Sequence, residues 1–491
     1  MSDSVERGRV SERRRIMFVT SNGTGLGHLT RSLAIARRLG DAFEPLFFTL
    51  SQGASVVAEL GFPVEFMASH GSPGAGNDFR WSRRLGARLG AAIAEAAPAA
   101  VVFDGILPYD PLLAAIAPVP IKVWCRRGLW REGASAVPLT RTRRFDAVLE
   151  PGELAAGEDR GPTPAWRGGA HQVAPVVFSD DHDLLSREEA ERELGLEPRM
   201  TTVLVQLGQG AEVAGATRRC LGALAGRPGV QVAALSSAIA DPHELPDGVV
   251  AVRARYPISR CFAAFDGVVA ASGYNAFHEL IRFGVPSVFV PIERETDDQA
   301  ARARHAERIG VGLAAKGPAD PRLELLAASL LEDDRREAMR DRLERLRPPN
   351  GAAEAAGWLE ALIAEPDRSR EATPPEAGQT RRAGSWLASV PATLRRLASQ
   401  TISMPTPRTL ILALGAEGEE LERAVVDALR ETPDPPERVL AVTDSTAIGV
   451  LRRLGVAVEQ VPARGSRQAE LAGGPYEPFL RKRLGLVLAR R

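Results

Sequence analysis

The chain alternates short, wholly apolar runs with longer stretches in which apolar residues recur every three or four positions. In its first part, the runs Ile16–Thr20, Pro45–Leu50, Ala100–Phe103 and Ile121–Trp124 have the length and residue types of buried parallel strands. Leu29, Leu33, Ala36 and Leu39 keep helical spacing between the first two, and Gly40 stands where a C-cap is expected. A second series follows at Thr202–Leu207, Val230–Leu235, Val249–Val252, Gly267–Ala270 and Ser287–Val290. Just before it, Ser186 with Glu188 and Glu189 signals a helix start and Gly195 its end. A shorter third series has strands at Thr409–Leu414 and Val439–Val442 around a helix near 417–430.

Such alternation predicts an α/β fold with right-handed crossovers and sheets covered on both faces. Two Rossmann-like domains, residues 16–175 and 176–364, are expected to face one another across a cleft at their strands' carboxyl edges. A linker at 365–407, rich in Pro, Ser, Thr, Arg and Glu, leads to a small α/β module at 408–491, and Trp386 and Leu387 read as a local docking point within it. Residues 1–15 read as a disordered polar terminus.

Composition limits the partners. Lys plus Arg and Asp plus Glu each total 62, so the net charge is zero and no global basic field calls for nucleic acid. Cys125, Cys220 and Cys261 are far apart, which argues against a disulfide framework or a cysteine zinc site and suits a reducing cytosol. The apolar run after Arg15 stops within about four residues, too short for a secretory signal, and no stretch approaches the roughly 20 residues of a membrane span. A cytoplasmic location is expected. Arginines between Arg83 and Arg144, Arg126 and Arg127 among them, raise a peripheral contact with anionic lipid at the inner membrane face.

The chemistry gathers at two glycine-containing turns. Ser21 to His28 follows the first strand, and its glycines, Gly25 and Gly27 included, permit backbone to approach a ligand at a helix start. It lacks the Lys-Ser/Thr ending of an ATPase loop and the dinucleotide glycine spacing. His28 at that helix mouth is a candidate base. Asp104 ends the strand Ala100–Phe103 and should reach the same edge, where it either caps the next segment or orients the imidazole. In the second half, Ala271 to Glu279 runs from a strand into a helix. Amides of Ser272 and Gly273, with Asn275 in the same turn, suit a diphosphate. Glu279, about two turns in, can accept both ribose hydroxyls, while Asp298 and Gln299 reach the next carboxyl edge, where sugar hydroxyls would lie. The run Asp180-Asp181-His182-Asp183 superficially suggests metal ligands, but its place before a helix favours capping, and no metal is expected.

Taken together, these segments resemble the GT-B glycosyltransferases, especially the peptidoglycan enzyme that adds N-acetylglucosamine to lipid I, over about residues 16–362. The resemblance places His28 at the family's histidine, Gly208 and Gly210 in the Gly-rich turn of its donor domain, Glu279 at its ribose-binding glutamate, and Asp298-Gln299 at its sugar-contacting element. His28-Leu29-Thr30-Arg31 departs from the peptidoglycan enzyme, which has a proline near that point; Gly-His-x-x-Arg is familiar from relatives with other acceptors, among them a nucleotide-sugar hydrolase. What the resemblance implies is metal-independent, inverting transfer of a hexose or N-acetylhexosamine from a UDP-sugar to a hydroxyl acceptor, free or lipid-linked. The nucleotide sugar is then a co-substrate and no further cofactor is expected. Two rivals stay open: a nucleotide-sugar hydrolase of the same fold, and a non-catalytic sugar-nucleotide-binding protein.

Overall fold

A computed structural model describes residues 13–21, 26–70, 72, 78–208, 211–235, 248–252, 256–365 and 407–488. Most of the expected terminus and linker, with Trp386 and Leu387, and the glycines 25 and 210 lie outside the described residues. Seven parallel strands form the first sheet: β1 (Arg14–Thr20), β2 (Phe43–Thr49), β3 (Val64–Phe66), β4 (Ala100–Asp104), β5 (Ile121–Cys125), β6 (Ala147–Pro151) and β7 (His171–Val173). Their order is β3-β2-β1-β4-β5-β6-β7. The apolar runs of β1 are continuous because both faces are covered. Ile16 and Phe18 pack with Leu29 and Leu33 of the helix Gly27–Ala36, while Met17 and Val19 pack with Leu85 and Leu89 of the helix Asp78–Ala96.

The second sheet holds β8 (Thr201–Gln206), β9 (Val230–Leu235), β10 (Val249–Val252), β11 (Gly267–Ala271), β12 (Ser287–Val290) and β13 (Leu313–Ala314), in the order β10-β9-β8-β11-β12-β13. The helix Arg187–Leu194 before it has the expected Ser186–Glu189 capping box and a left-handed Gly195 at φ 67°. Gly40, by contrast, is not a C-cap. The first helix stops at Ala36 with Arg37 right-handed, and the Arg38 guanidinium takes the last-turn carbonyl of Ala34 at 2.6 Å. The last helix of this half, Ala352–Ala364, returns to the first lobe, where Leu359 and Ile363 share a core with Ile16 and Leu33.

In each sheet the strand order reverses at a central pair, β1 with β4 and β8 with β11, and at such switch points the crevice lies beyond the carboxyl ends. Register aligns Thr20 with Asp104 in one sheet and Gln206 with Ala270 in the other.

A third parallel sheet, β14 (Thr409–Ala413), β15 (Val439–Thr443) and β16 (Ala457–Gln460), docks on the first. Edge strand β3 would leave amides unpaired. Instead, Phe66 N donates to Gln460 Oε1 at 2.8 Å, and Arg88, 1% exposed, bridges Glu65 at 3.0 Å and Glu459 at 2.7 Å. The module seals one edge of the first lobe.

Candidate active site

His28 occupies the second position of the helix Gly27–Ala36, beyond the carboxyl end of β1, and Asp104 ends the neighbouring strand β4. Strand pairing therefore brings them together across 76 residues, and His28 Nδ1 lies 2.6 Å from Asp104 Oδ1. Asp104 is fully buried. Burial works against its ionised form, but Arg31 and His28 outweigh it and hold the carboxyl below its usual range. With an ionised acceptor beside it, Nδ1 carries the proton and donates, which leaves Nε2 as the free lone pair. His28 itself is held below its usual pKa, first by burial and then by Arg31 and Arg127, against the pull of Asp104. The imidazole is thus neutral near pH 7 with 18% of its side chain exposed, a state fit to accept a proton. It lines a cavity with Asp104, Gly105, Arg127 and Trp130.

Across the cleft, the helix Tyr274–Arg282 starts directly after β11, with Gly273 as an extended N-cap. Asn275 Nδ2 donates to the Gly27 carbonyl at 3.3 Å, so the mouths of the two helices meet. The first amides of such a helix have no intrahelical partner and point at whatever occupies the cleft. Gly27 adds its carbonyl to that junction, and Gly208, just past β8, adopts φ 88°, a conformation suited to glycine.

Packing within the protein engages three of the expected ligand contacts, Ser272, Asp298 and Gln299, and leaves the fourth, Glu279, without an ion pair among the described residues. Ser272 is fully buried; its amide donates to Val290 O at 3.2 Å and its hydroxyl to Gln299 O at 3.0 Å, so it has no donor left for a diphosphate. The amides of Gly273, Tyr274 and Asn275 stand next to it at the start of the helix. Asp298 Oδ1 caps the helix Gln299–Ile309 by accepting Ala301 N at 2.9 Å, as an Asp just before a helix does. Gln299 accepts Ile292 N at 3.0 Å and donates to Asp297 Oδ2 at 3.2 Å, which engages both ends of its amide. Glu279 is 8% exposed and accepts the Phe178 amide, with no charged partner among the described residues. Desolvation pushes its carboxyl up to about 7.

The sequence reading missed a charged seam between the lobes. Arg127 Nη1 meets Asp297 Oδ1 at 2.9 Å, Arg302 meets Asp297 at 2.8 Å and Glu153 at 2.8 Å, and the Tyr274 ring lies beneath Arg31, Arg127 and Arg302 at 5.2, 5.6 and 5.8 Å. Backbone joins there too: Arg131 N donates to Thr296 O at 2.7 Å and Asp298 N to Leu129 O at 3.1 Å. Arg302 and His278 overcome burial to hold Glu153 down at about 2. The one available signal was the density of charge in Thr296 to Arg304, but its partners lie too far away in sequence to pair by spacing. Arg126, offered above for a lipid-facing patch, is buried against Glu150 at 3.1 Å, and Arg127 is committed to the seam. Asp180, His182 and Asp183 do come close enough to hold an ion, but Asp180 pairs with Arg38 at 2.6 Å and Asp183 with Arg37 at 2.9 Å, and the two carboxylates close a capping box.

No family model matches the sequence, and no curated protein matches it. Solved structures do. The chain is similar to the UDP co-structure of MnaA from S. aureus, with a TM-score of 0.51 at 10% identity over 74% of this chain and 100% of that one. It is similar to a structure assigned as a UDP-N-acetylglucosamine 2-epimerase from Listeria monocytogenes, with a TM-score of 0.50 at 13% identity over 75% of this chain and 100% of that one. Spinosyn forosaminyltransferase SpnP aligns at 0.49 and 15% identity over 72% of this chain and 100% of that one. At these identities the likeness lies in the fold. That fold is GT-B, two Rossmann-like domains facing across a cleft, here with a small third parallel sheet.

Proposed function

We propose that the chain is a nucleotide-sugar-dependent glycosyltransferase that moves a hexose or N-acetylhexosamine from a UDP-sugar to a hydroxyl acceptor with inversion and without a metal. The observation that carries this reading is the His28–Asp104 pair at 2.6 Å, set at one helix mouth and joined to a second helix mouth on the facing lobe. In the reaction, His28 Nε2 takes the acceptor's hydroxyl proton as the new C–O bond forms. The bond from sugar to diphosphate breaks, and the departing oxygen keeps the electron pair. Amides of Gly273, Tyr274 and Asn275 stabilise that charge, and Glu279 holds the ribose. The motif resemblance to the peptidoglycan enzyme and its Gly-His-x-x-Arg relatives supports donor class; it leaves the acceptor open.

The test is consumption of UDP-hexoses and UDP-N-acetylhexosamines with and without hydroxyl acceptors. Acceptor-dependent release of UDP is expected. Stoichiometric free sugar without any acceptor would select the hydrolase instead, and tight donor binding without turnover would select the binding protein.

A peripheral membrane contact belongs to the same reading. Phe79, Leu107 and Val137 are 68%, 39% and 60% exposed, and all lie in segments leaving the carboxyl ends of β3, β4 and β5, the edge that holds His28. Arg83 stacks 5.7 Å from the Phe79 ring, and Arg143 and Arg144 are exposed nearby in sequence to Val137. Among the described residues no helix is long and apolar enough to cross a membrane. Phe79→Ser with Val137→Ser should reduce co-sedimentation with phosphatidylglycerol vesicles severalfold and leave donor binding intact. Unchanged co-sedimentation would remove the membrane from the account.

A further inference from the structure

The dyad has a third member that the reaction as written does not use. Arg31 lies three residues on from His28, on the same side of the helix, and is 2% exposed. It donates to both oxygens of Asp104, from Nε at 3.1 Å and from Nη2 at 2.5 Å. His28 must therefore share Oδ1 with a guanidinium. Nη2 also approaches His28 Nδ1 to 3.0 Å, and with both groups carrying protons that approach is repulsive. On its other side Arg31 rests against the Tyr274 ring at 5.2 Å. Tyr274 belongs to the facing lobe, and its hydroxyl reaches back across the cleft, donating to Gly152 O of the first lobe at 2.9 Å and accepting Val176 N at the lobe boundary at 3.0 Å. The charges facing the imidazole are Asp104 from β4, Arg31 from its own helix and Arg127 from the turn after β5, with the buried Cys125 thiol beside them.

We propose that Arg31 is a positioning residue that divides the Asp104 carboxylate between itself and His28, fixing the imidazole with Nδ1–H toward the carboxylate and Nε2 toward the cleft, and that Tyr274 of the facing lobe holds Arg31 in that place. The proposal rests on His28 as the base. Sharing weakens the carboxylate's hold on the imidazolium, so Arg31 keeps His28 in the form that accepts a proton. It also makes the dyad's geometry depend on where the donor helix stands, because the ring that braces Arg31 is that helix's first residue.

The experiment is a histidine-ring NMR titration of the full chain, in which one of seven histidines is assigned to His28 by its loss in His28→Gln. Wild type is compared with Arg31→Gln and with Arg31→Lys, the second retaining a cation for folding. Alongside, the pH dependence of kcat/KM for UDP-sugar consumption is recorded. Removing the competing guanidinium should raise the His28 midpoint by about one unit, a tenfold gain in proton affinity, with a smaller rise for Arg31→Lys. The acid limb of kcat/KM should move with it. A midpoint unchanged within about 0.2 unit in Arg31→Gln would overturn the proposal, since a merely structural arginine leaves it there. A midpoint that moves while the rate profile stays put would uphold Arg31 as the imidazole's positioner and defeat His28 as the base.

Discussion

Replacing His28 by alanine will lower kcat for sugar transfer by about 10²- to 10⁴-fold and leave donor affinity within about threefold of wild type. The expectation follows from position. His28 stands on the first lobe, at the mouth of its own helix, while the amides and carboxylate assigned to the nucleotide stand on the second. Its ring is oriented by a fully buried carboxylate at 2.6 Å on Nδ1, and in the proposed reaction Nε2 removes the acceptor's proton rather than holding the donor. Asp104→Asn should reproduce much of the loss, because an amide can fix the ring but cannot compensate the imidazolium that forms. Steady-state rates at saturating donor, with donor affinity measured by calorimetry, separate the two effects. A kcat within about threefold of wild type in His28→Ala would mean that another group takes the proton.

Glu279 carries the second large effect, and it runs in opposite directions for binding and for stability. Desolvation lifts its carboxyl from 4.5 to about 7, with the Phe178 amide pulling the other way. Two ribose hydroxyls donate best to an ionised carboxylate. Wild-type affinity for UDP should therefore rise as pH goes up through about 7, and Glu279→Gln should bind about tenfold or more weakly at pH 8 with that pH dependence gone. For the protein alone the sign reverses. A group whose pKa is raised on folding contributes stability below its unfolded value of 4.5 and loses it as pH rises through about 7. Glu279→Gln should accordingly melt higher than wild type at pH 8 without donor. A carboxyl kept for structure would lower the melting point when replaced; one that costs stability and gains affinity belongs to a binding site. Thermal melts at pH 6 and pH 8, with and without UDP, read both arms.

The fold was legible because its central strands are long apolar runs. β1, β2, β4 and β5 were all found, and they are the strands whose carboxyl ends frame the site. β3 and β7 have three residues each, and β13 two, too few to show a pattern. β3 also carries Glu65 at its centre, a residue that sits in a strand because Arg88 neutralises it from elsewhere in the chain. The His28–Asp104 contact could be anticipated from two strand ends lying side by side. Arg127, Glu153, Asp297 and Arg302 could not, since their ion pairs form through packing of one lobe on the other rather than through spacing. Ser272 misled for a related reason. In a Ser-Gly turn at a helix start either residue can offer its amide, and only the register of β11 with β12 shows that Ser272 N belongs to Val290 O. The capping role of Asp298 was legible, because Asp-Gln opening a helix is a capping pattern as well as a ligand pattern. The third module held a different surprise. Its Glu459 and Gln460 look like exposed polar residues in the sequence and are buried against the edge of β3.

All of this turns on where a sugar nucleotide settles. A crystal structure of the full chain with UDP bound decides it most directly. The account predicts the diphosphate against the amides of Gly273 to Asn275, with both ribose hydroxyls on Glu279 and His28 facing the open end of the diphosphate. UDP seated elsewhere, or the Glu279 carboxyl still turned to Phe178 with no ribose in reach, would contradict it.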